Sequence, residues 1–226
     1  MKYFIISVVA AYFVYALIPA LYNRYLNSQI LRNTGVPKQL VLTFDDGPHA
    51  TYTGELMDVL AKHQIKATFF LVAKQAEKYS QLVDRILAEG HSLGLHSLEH
   101  KNALLKGYSY TKEDFRQSME IMAIHNWPVR FYRAPWGIMN ILTMRFVRKY
   151  DLRPVCWSVM TEDWSSSATA ASIEKKLLQR ASDGAIICLH DNGRVEGAPA
   201  KLLQALDAAI PKLKAAGYSF VRLERE

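Results

Sequence analysis

From residue 39 onward, short apolar runs rich in strand-forming residues alternate with longer runs of helical period, and this alternation restricts the fold more than any other feature of the chain. The strand-like runs are Leu40–Phe44, Ala67–Val72, His91–Leu95, Arg130–Arg133, Arg153–Val159, Ala185–His190 and Ser219–Leu223. Between them lie helical patterns near Gly54–Lys62, Glu77–Glu89, Thr111–Ile124, Ile141–Lys149, Ser172–Arg180 and Ala200–Ala215. In the last of these, Leu202, Leu206, Ala209, Ile210 and Leu213 form one apolar stripe suited to packing on a sheet. Strict alternation implies parallel strands with helices outside, as a barrel or a doubly wound sheet. No Gly-x-Gly-x-x-Gly follows the first strand and no phosphate loop occurs, which argues against a nucleotide-binding doubly wound fold. The expected architecture is an α/β barrel of seven to eight parallel strands, one domain in a chain of 226 residues.

The N-terminus follows a different pattern. Tyr3 to Tyr22 is an uncharged run long enough to cross a bilayer as a helix, with Lys2 and Arg24 outside it and Tyr3, Tyr22 and Tyr25 at its ends. Residues 1–22 are therefore expected to form a transmembrane signal anchor, followed by a linker over 23–38 and the barrel domain over 39–226. A cleaved signal peptide, giving a secreted protein, is the rival. However, Ile18-Pro19-Ala20 lacks the small residue that a cleavage site wants two before Ala20. Lys2 and the terminal amine compete with Arg24, Arg32 and Lys38, so flanking charge leans against an external barrel. The excess of 28 Lys and Arg over 21 Asp and Glu suits a polyanionic surroundings such as a bacterial wall. The basic residues are scattered, so no nucleic-acid partner is expected, and the chain is expected to be a monomer. Cys156 and Cys188 sit in apolar runs and are expected as free buried thiols.

In a parallel barrel, functional side chains belong at the C-terminal ends of the strands. Asp45-Asp46, His96, Arg133, Asp163-Trp164 and His190-Asp191 all fall at or just beyond such ends. Alone, an Asp-Asp-Gly-Pro run is an ordinary turn. His96 and His100 change its meaning: if one helical turn follows the third strand, both rings share a face and can grip one ion. With Asp46 they make a two-histidine, one-carboxylate set with open positions, the pattern of a catalytic metal centre. Zinc is the default for such donors, with iron, cobalt and manganese also admitted. Glu99 lies outside the set. His49, His63 and His125 read as surface or helix-end residues, His91 as structural, and Trp127 and Trp157 as core.

Five motifs occur in order: Thr43-Phe44-Asp45-Asp46-Gly47-Pro48, His96-Ser97-Leu98-Glu99-His100, Arg133-Ala134-Pro135-Trp136-Gly137, Asp163-Trp164 and Leu189-His190-Asp191. Together they resemble the polysaccharide deacetylases that share the NodB homology domain, carbohydrate esterase family 4. The resemblance implies a distorted (β/α) barrel, metal ligands Asp46, His96 and His100, Asp45 as the general base, and His190 as the acid that protonates the leaving amine. It further implies Asp163 as the partner of His190, Arg133 as the holder of the base, and the Trp136 backbone N–H as oxyanion donor. Trp164 and Leu189 would wall the groove for the acetyl methyl. The chain departs from the common family pattern at Met160, where many members carry an acid, and at Ala134 and Trp136, where Pro and Tyr are more usual.

The activity so implied is Zn²⁺-dependent removal of N-acetyl groups from amino sugars of a cell-wall or extracellular polysaccharide, of peptidoglycan or chitin type, with Co²⁺ or another transition metal as substitute. Residues 1–22 would tether the enzyme to the cell membrane with its barrel on the wall side. The rivals are a catalytically silent glycan-binding barrel and a metal amidohydrolase of a small amide. An intact base, acid and ligand set argues against the first, and the lack of a separate substrate domain or lid against the second.

Overall fold

The computed structural model describes residues 1–193 and 195–224. In chain order the regular elements begin with α1 (Lys2–Tyr12), α2 (Ile18–Leu21), β1 (Gln39–Asp45), α3 (Tyr52–Lys62), β2 (Thr68–Leu71), α4 (Ala73–Lys78), α5 (Ser80–Ala88) and β3 (Ser92–Leu95). They continue with α6 (Tyr108–Ile124), β4 (Val129–Tyr132), α7 (Ile141–Lys149), β5 (Arg153–Pro154), β6 (Val159–Met160), α8 (Ala170–Arg180), β7 (Ala185–His190), α9 (Ala198–Ala215) and β8 (Ser219–Val221). The strands form one eight-stranded parallel sheet in the order β5-β4-β3-β2-β1-β7-β6, with β8 beside the start of β1. It curls into an incompletely closed barrel, the expected one of the two architectures that the alternation admits.

Side-chain parity sorts the barrel into two apolar layers. Leu40, Leu42 and Phe44 of β1 join Ala185, Ile187 and Leu189 of β7 in the large cluster under the helices. Val41, Phe70, Phe131, Val155, Ile186 and Leu223 make a smaller cluster inside the barrel. A strand buried on both faces reads as a continuous apolar run, which is why β1 and β7 stand out in the sequence. On the inner face, the next positions up the same strands are Thr43, Asp45, Cys188 and His190, so the interior turns polar toward its C-terminal end.

Two expected elements divide. The run Arg153–Val159 is not one strand: β5 pairs with β4, β6 pairs with β7, and the two do not pair with each other. Leu31 fills part of the gap, bridging Val155 by a bond from its own N–H to the Pro154 carbonyl (3.0 Å) and another from the Cys156 N–H to its carbonyl (2.8 Å). Asn33 bridges Ala185 in the antiparallel sense, so residues 31–33 complete the backbone pairing that β5 and β6 leave open. The expected helix Glu77–Glu89 is two, α4 and α5, separated at Tyr79 by a non-helical backbone (φ −120°, ψ 45°).

The expected membrane-spanning helix is also corrected. Among the described residues no helix is long and apolar enough to cross a membrane. The uncharged run is helical, but π-helical turns at Phe13–Leu17 and Tyr22–Leu26 interrupt it and leave α1 and α2 as short pieces. Its second half packs on the barrel, where Ala16, Ala20 and Asn23 are buried. Tyr15 donates its hydroxyl to the Lys106 carbonyl, and Asn23 donates its amide to the Met139 carbonyl at 3.0 Å. Arg24 stacks its guanidinium on Trp157, 4.0 Å from the ring centre. Tyr15 within the uncharged stretch, and Asn23 and Arg24 just beyond it, therefore make protein contacts through polar side chains. In its first half Tyr3, Phe4, Ile5 and Ile6 are exposed.

Gly94, on the inner face of β3, lies flat against Phe70, and a Cβ there would sit 2.5 Å from the ring. Gly94→Ala should displace Phe70 and lower stability by about 1–3 kcal/mol, as overpacking does, read as a fall in the urea midpoint at unchanged slope.

Candidate active site

The site is assembled from the inner face of β1. Asp45 closes that strand in register with His190 at the end of β7. Its Oδ1 accepts a 2.6 Å hydrogen bond from Arg133 Nη1, and both side chains are buried. Arg133 is wholly enclosed: Nη1 also donates to Thr43 Oγ1 (2.7 Å), Nη2 donates to the Cys156 carbonyl (2.9 Å), and the guanidinium lies 4.1 Å from the centre of the Phe70 ring. An ion pair so placed sets the charge of Asp45 against that of the buried guanidinium.

Asp46 follows with a left-handed backbone (φ 76°), which turns its carboxylate toward the same cleft as Asp45 although the two are adjacent. Asp46 Oδ1 lies 3.3 Å from His96 Nε2 and 3.0 Å from His100 Nε2. That oxygen is buried and makes no hydrogen bond, so the three atoms converge as metal donors would. The tautomer of His96 suits this: its Nδ1 sits 2.7 Å from the Arg133 carbonyl, an acceptor only, which puts the proton on Nδ1 and leaves the Nε2 lone pair for an ion. The donor set fits a catalytic divalent metal with open positions.

The helical turn expected to bring the histidines together does not form. Residues 96–100 make an irregular loop in which Ser97 (φ 74°) and His100 (φ 53°) are left-handed. Leu98 N–H donates to Asp114 Oδ1 (3.0 Å) and His100 N–H donates to Ser97 Oγ (2.9 Å), which fixes the loop and brings the two rings to 5.1 Å at a tilt of 41°. Glu99 points away and pairs with Lys74 and Lys101.

Across the cleft, Asp163 organises His190. Its Oδ2 accepts the His190 backbone N–H (2.8 Å), and its Oδ1 lies 3.2 Å from His190 Nδ1. Burial works against charge on His190, but the Asp163 carboxylate and then Cys188 outweigh it and raise the imidazole well above its ordinary value. Trp136 and Trp164 are each about half exposed on the rim, and the Trp136 ring packs 4.5 Å from His100. Leu189 is not brought to the groove: it is fully buried in the layer beneath the helices.

Two neighbours carried no role in the sequence reading. Asp191 is buried, accepts from the Thr53 hydroxyl, and is pushed up to about 7, chiefly by burial. Its carboxylate presses on Gly47 so closely that a Cβ there would fall 2.3 Å away, which makes glycine necessary in the turn carrying Asp45 and Asp46. Cys188 lies on the inner face with its Sγ 3.4 Å from Asp45 Oδ2, and burial followed by the Asp45 charge pushes its thiol up to about 11. Parity was the available signal: Cys188 stands two residues before His190 and must share its face, while Leu189 must not.

Residues 32–155 match the family model described as polysaccharide deacetylase. The chain is 33% identical over 188 residues to a peptidoglycan-N-acetylglucosamine deacetylase of Bacillus cereus, covering 82% of this chain and 66% of that one. It is 31% identical over 202 residues to a chitooligosaccharide deacetylase of Azorhizobium caulinodans, covering 84% of this chain and 95% of the relative. The chain thus spans about two thirds of the Bacillus relative, and only 42% of a peptidoglycan deacetylase of Listeria monocytogenes. Among solved structures, a peptidoglycan N-acetylglucosamine deacetylase in complex with an N-oxidanyl-benzamide compound superposes with a TM-score of 0.79 at 31% identity, over 86% of this chain and 90% of that one.

The convergence of donors on Asp46 Oδ1 predicts that His100→Ala weakens Zn²⁺ binding by about 10–100-fold or more, measured against a competing chelator. Asp45→Asn, which removes a carboxylate outside that set, should still bind one equivalent of Zn²⁺ at Asp46, His96 and His100 with the affinity of the parent protein.

Proposed function

Since the chain belongs to the polysaccharide deacetylase family, we propose that it is a metal-dependent hydrolase that removes N-acetyl groups from amino sugars of a cell-wall or extracellular polysaccharide. The observation that carries this reading is a carboxylate bound to a buried cation and an imidazole bound to a buried carboxylate, both beside one donor set. Asp45 is paired with Arg133 and His190 with Asp163, next to Asp46, His96 and His100. A silent glycan-binding barrel needs neither pairing.

A divalent ion held by Asp46, His96 and His100, Zn²⁺ by donor type with Co²⁺ as a substitute, would polarise the acetyl carbonyl and bring the pKa of an attacking water down to about 7. Asp45 Oδ2 takes the proton from that water, Oδ1 being engaged by Arg133. The Trp136 N–H stabilises negative charge on the former carbonyl oxygen, an interaction of a kind whose loss typically costs about 10²–10³ in rate. His190, with Nδ1 against Asp163, delivers its proton from Nε2 to the departing nitrogen, so that an amine rather than an amide anion leaves. Trp136 and Trp164 flank the entrance as surfaces on which sugar rings can stack.

The substrate we propose is an N-acetylglucosamine-containing glycan, peptidoglycan or a chitin-type oligomer, met on the wall side of the cell. A net charge of +7 favours dwelling near an anionic wall.

The test is acetate release from chitin oligomers and from purified peptidoglycan by the chain loaded with Zn²⁺ or Co²⁺. Release from at least one, abolished by chelation, is expected; release from neither overturns the reading in favour of a silent binder. Asp45→Asn should lower kcat by about 10²–10⁴ with metal still bound. Asp163→Asn should move the alkaline limb of the pH profile to lower pH. The acid must be protonated to act, and losing the carboxylate that raises His190 lets it deprotonate sooner.

A further inference from the structure

Beside the donor set of Asp46, His96 and His100 lies a second cluster that shares no residue with it. One ligand atom each from Asp45, Cys188 and His190 lie within 4.8 Å of one another. We propose that this cluster is a second metal position, selective for a thiophilic divalent cation such as Zn²⁺ in excess or Cd²⁺, and that filling it switches the enzyme off.

Strand register builds the cluster. Asp45 faces His190 across the β1–β7 ladder, and Cys188 sits one inner-face step below His190, opposite Thr43. Asp45 and His190 each have one atom committed to support and one left over, and Cys188 offers its Sγ. Asp45 gives Oδ1 to Arg133, so Oδ2 turns to Cys188 Sγ at 3.4 Å. His190 gives Nδ1 to Asp163, which leaves Nε2, the carboxylate-backed imidazole arrangement that steadies histidine ligands in metal centres. Bonds of about 2.0–2.3 Å in tetrahedral geometry set donor atoms about 3.5 Å apart, so the Asp45–Cys188 separation already matches and the rest of the set needs only a modest contraction.

The donor types choose the ion. Thiolate, imidazole and carboxylate together suit Zn²⁺ or Cd²⁺ and do not suit Mg²⁺ or Ca²⁺. Binding forms one bond each to S, N and O. It releases the Cys188 thiol proton to solvent, with the His190 proton when that ring carries one, and involves no redox change. The two sets lie side by side, with Asp45 Oδ2 4.0 Å from His96 Nε2. An ion in the second set occupies the oxygen that takes a proton and the ring that gives one. Inhibition therefore rests on the roles proposed above for Asp45 and His190, whereas the binding itself does not.

The experiment is titration of the full metal-free chain with Co²⁺, then with Zn²⁺ and Cd²⁺, following bound equivalents, near-ultraviolet thiolate-to-cobalt absorption and acetate release. In the parent chain the first equivalent should give activity without the thiolate band, and a second should bring the band and remove activity. Cys188→Ala, and Cys188→Ser as the closer isostere, should keep the first equivalent, lose the band, and, measured against each variant's own activity at one equivalent, need about tenfold or more metal for inhibition. The proposal is overturned if the parent shows no thiolate band at any loading, or if both variants match its stoichiometry and inhibition. A thiolate band in a chain that releases no acetate from any glycan would uphold the second position and overturn the hydrolase reading instead.

Discussion

The buried pair between Arg133 and Asp45 is the constraint to which the rest of the barrel interior is fitted. A guanidinium with no solvent exposure is costly to desolvate, and such pairs add little net stability compared with apolar residues of the same volume. Breaking one by removing a single partner, in contrast, typically costs about 3–5 kcal/mol. The interior is accordingly built around the two Nη groups of Arg133, while its buried Nε finds no acceptor: Thr43 stands on the inner face of β1 as a second acceptor, the Cys156 carbonyl turns inward, and Phe70 lies beneath the cation. What the fold gains is a carboxylate held in place beside the donor set. It also gains a carbonyl on Arg133 itself that fixes the tautomer of His96. One residue thus orients both Asp45 and His96.

That arrangement accounts for the irregular part of the sheet. If Arg153 to Val159 ran as one strand, the Cys156 carbonyl would be taken up by a ladder and could not serve Arg133. Splitting the run into β5 and β6 frees it, at the cost of an open seam. Leu31 supplies the missing backbone partners at Val155 and Cys156, so the segment ahead of the barrel becomes part of its wall. Arg32 holds the turn before it by donating to the carbonyls of Arg24 (2.9 Å) and Asn27 (2.8 Å). The N-terminal run is consequently tied to the same seam that serves the catalytic face, through Arg24 on Trp157.

These particulars also explain what could be read from the chain in advance. The strands buried on both faces, β1 and β7, and the striped helix α9 announce themselves by composition and period, and parallel topology follows from alternation alone. The gathering of Asp45, Asp46, His96, Arg133, Asp163 and His190 in one cleft was legible because all stand at or just beyond strand ends on one mouth of the barrel. Less legible were features set by tertiary partners. The loop between His96 and His100 depends on Asp114, a residue on α6, and two left-handed residues that no local propensity demands. The division of the fifth strand accompanies a bond from its Cys156 carbonyl to a buried cation, Arg133, just beyond β4. The N-terminal run reads as a lipid span by hydropathy, whereas its π-helical turns and its contacts through Tyr15 and Asn23 become visible only with the barrel beside it.

Asp45 and Asp46 show how far neighbouring residues of one type can diverge. In an extended backbone their side chains would point to opposite faces, one into the barrel and one into the helix layer, where an unpaired carboxylate would be untenable. The left-handed turn at Asp46 redirects its side chain over the barrel mouth, a conformation that aspartate tolerates at a cost of about 1–2 kcal/mol. Asp191 packed on Gly47 and the imidazoles facing Asp46 supply the surroundings that hold it there. The division of labour then follows from environment. Asp45 has a cation on one oxygen and a proton-accepting oxygen left, so it suits proton transfer, whereas Asp46 has imidazole nitrogens converging on one oxygen, so it suits an ion. Exchanging the two roles would require moving Arg133, and Arg133 is fixed by the interior of the barrel.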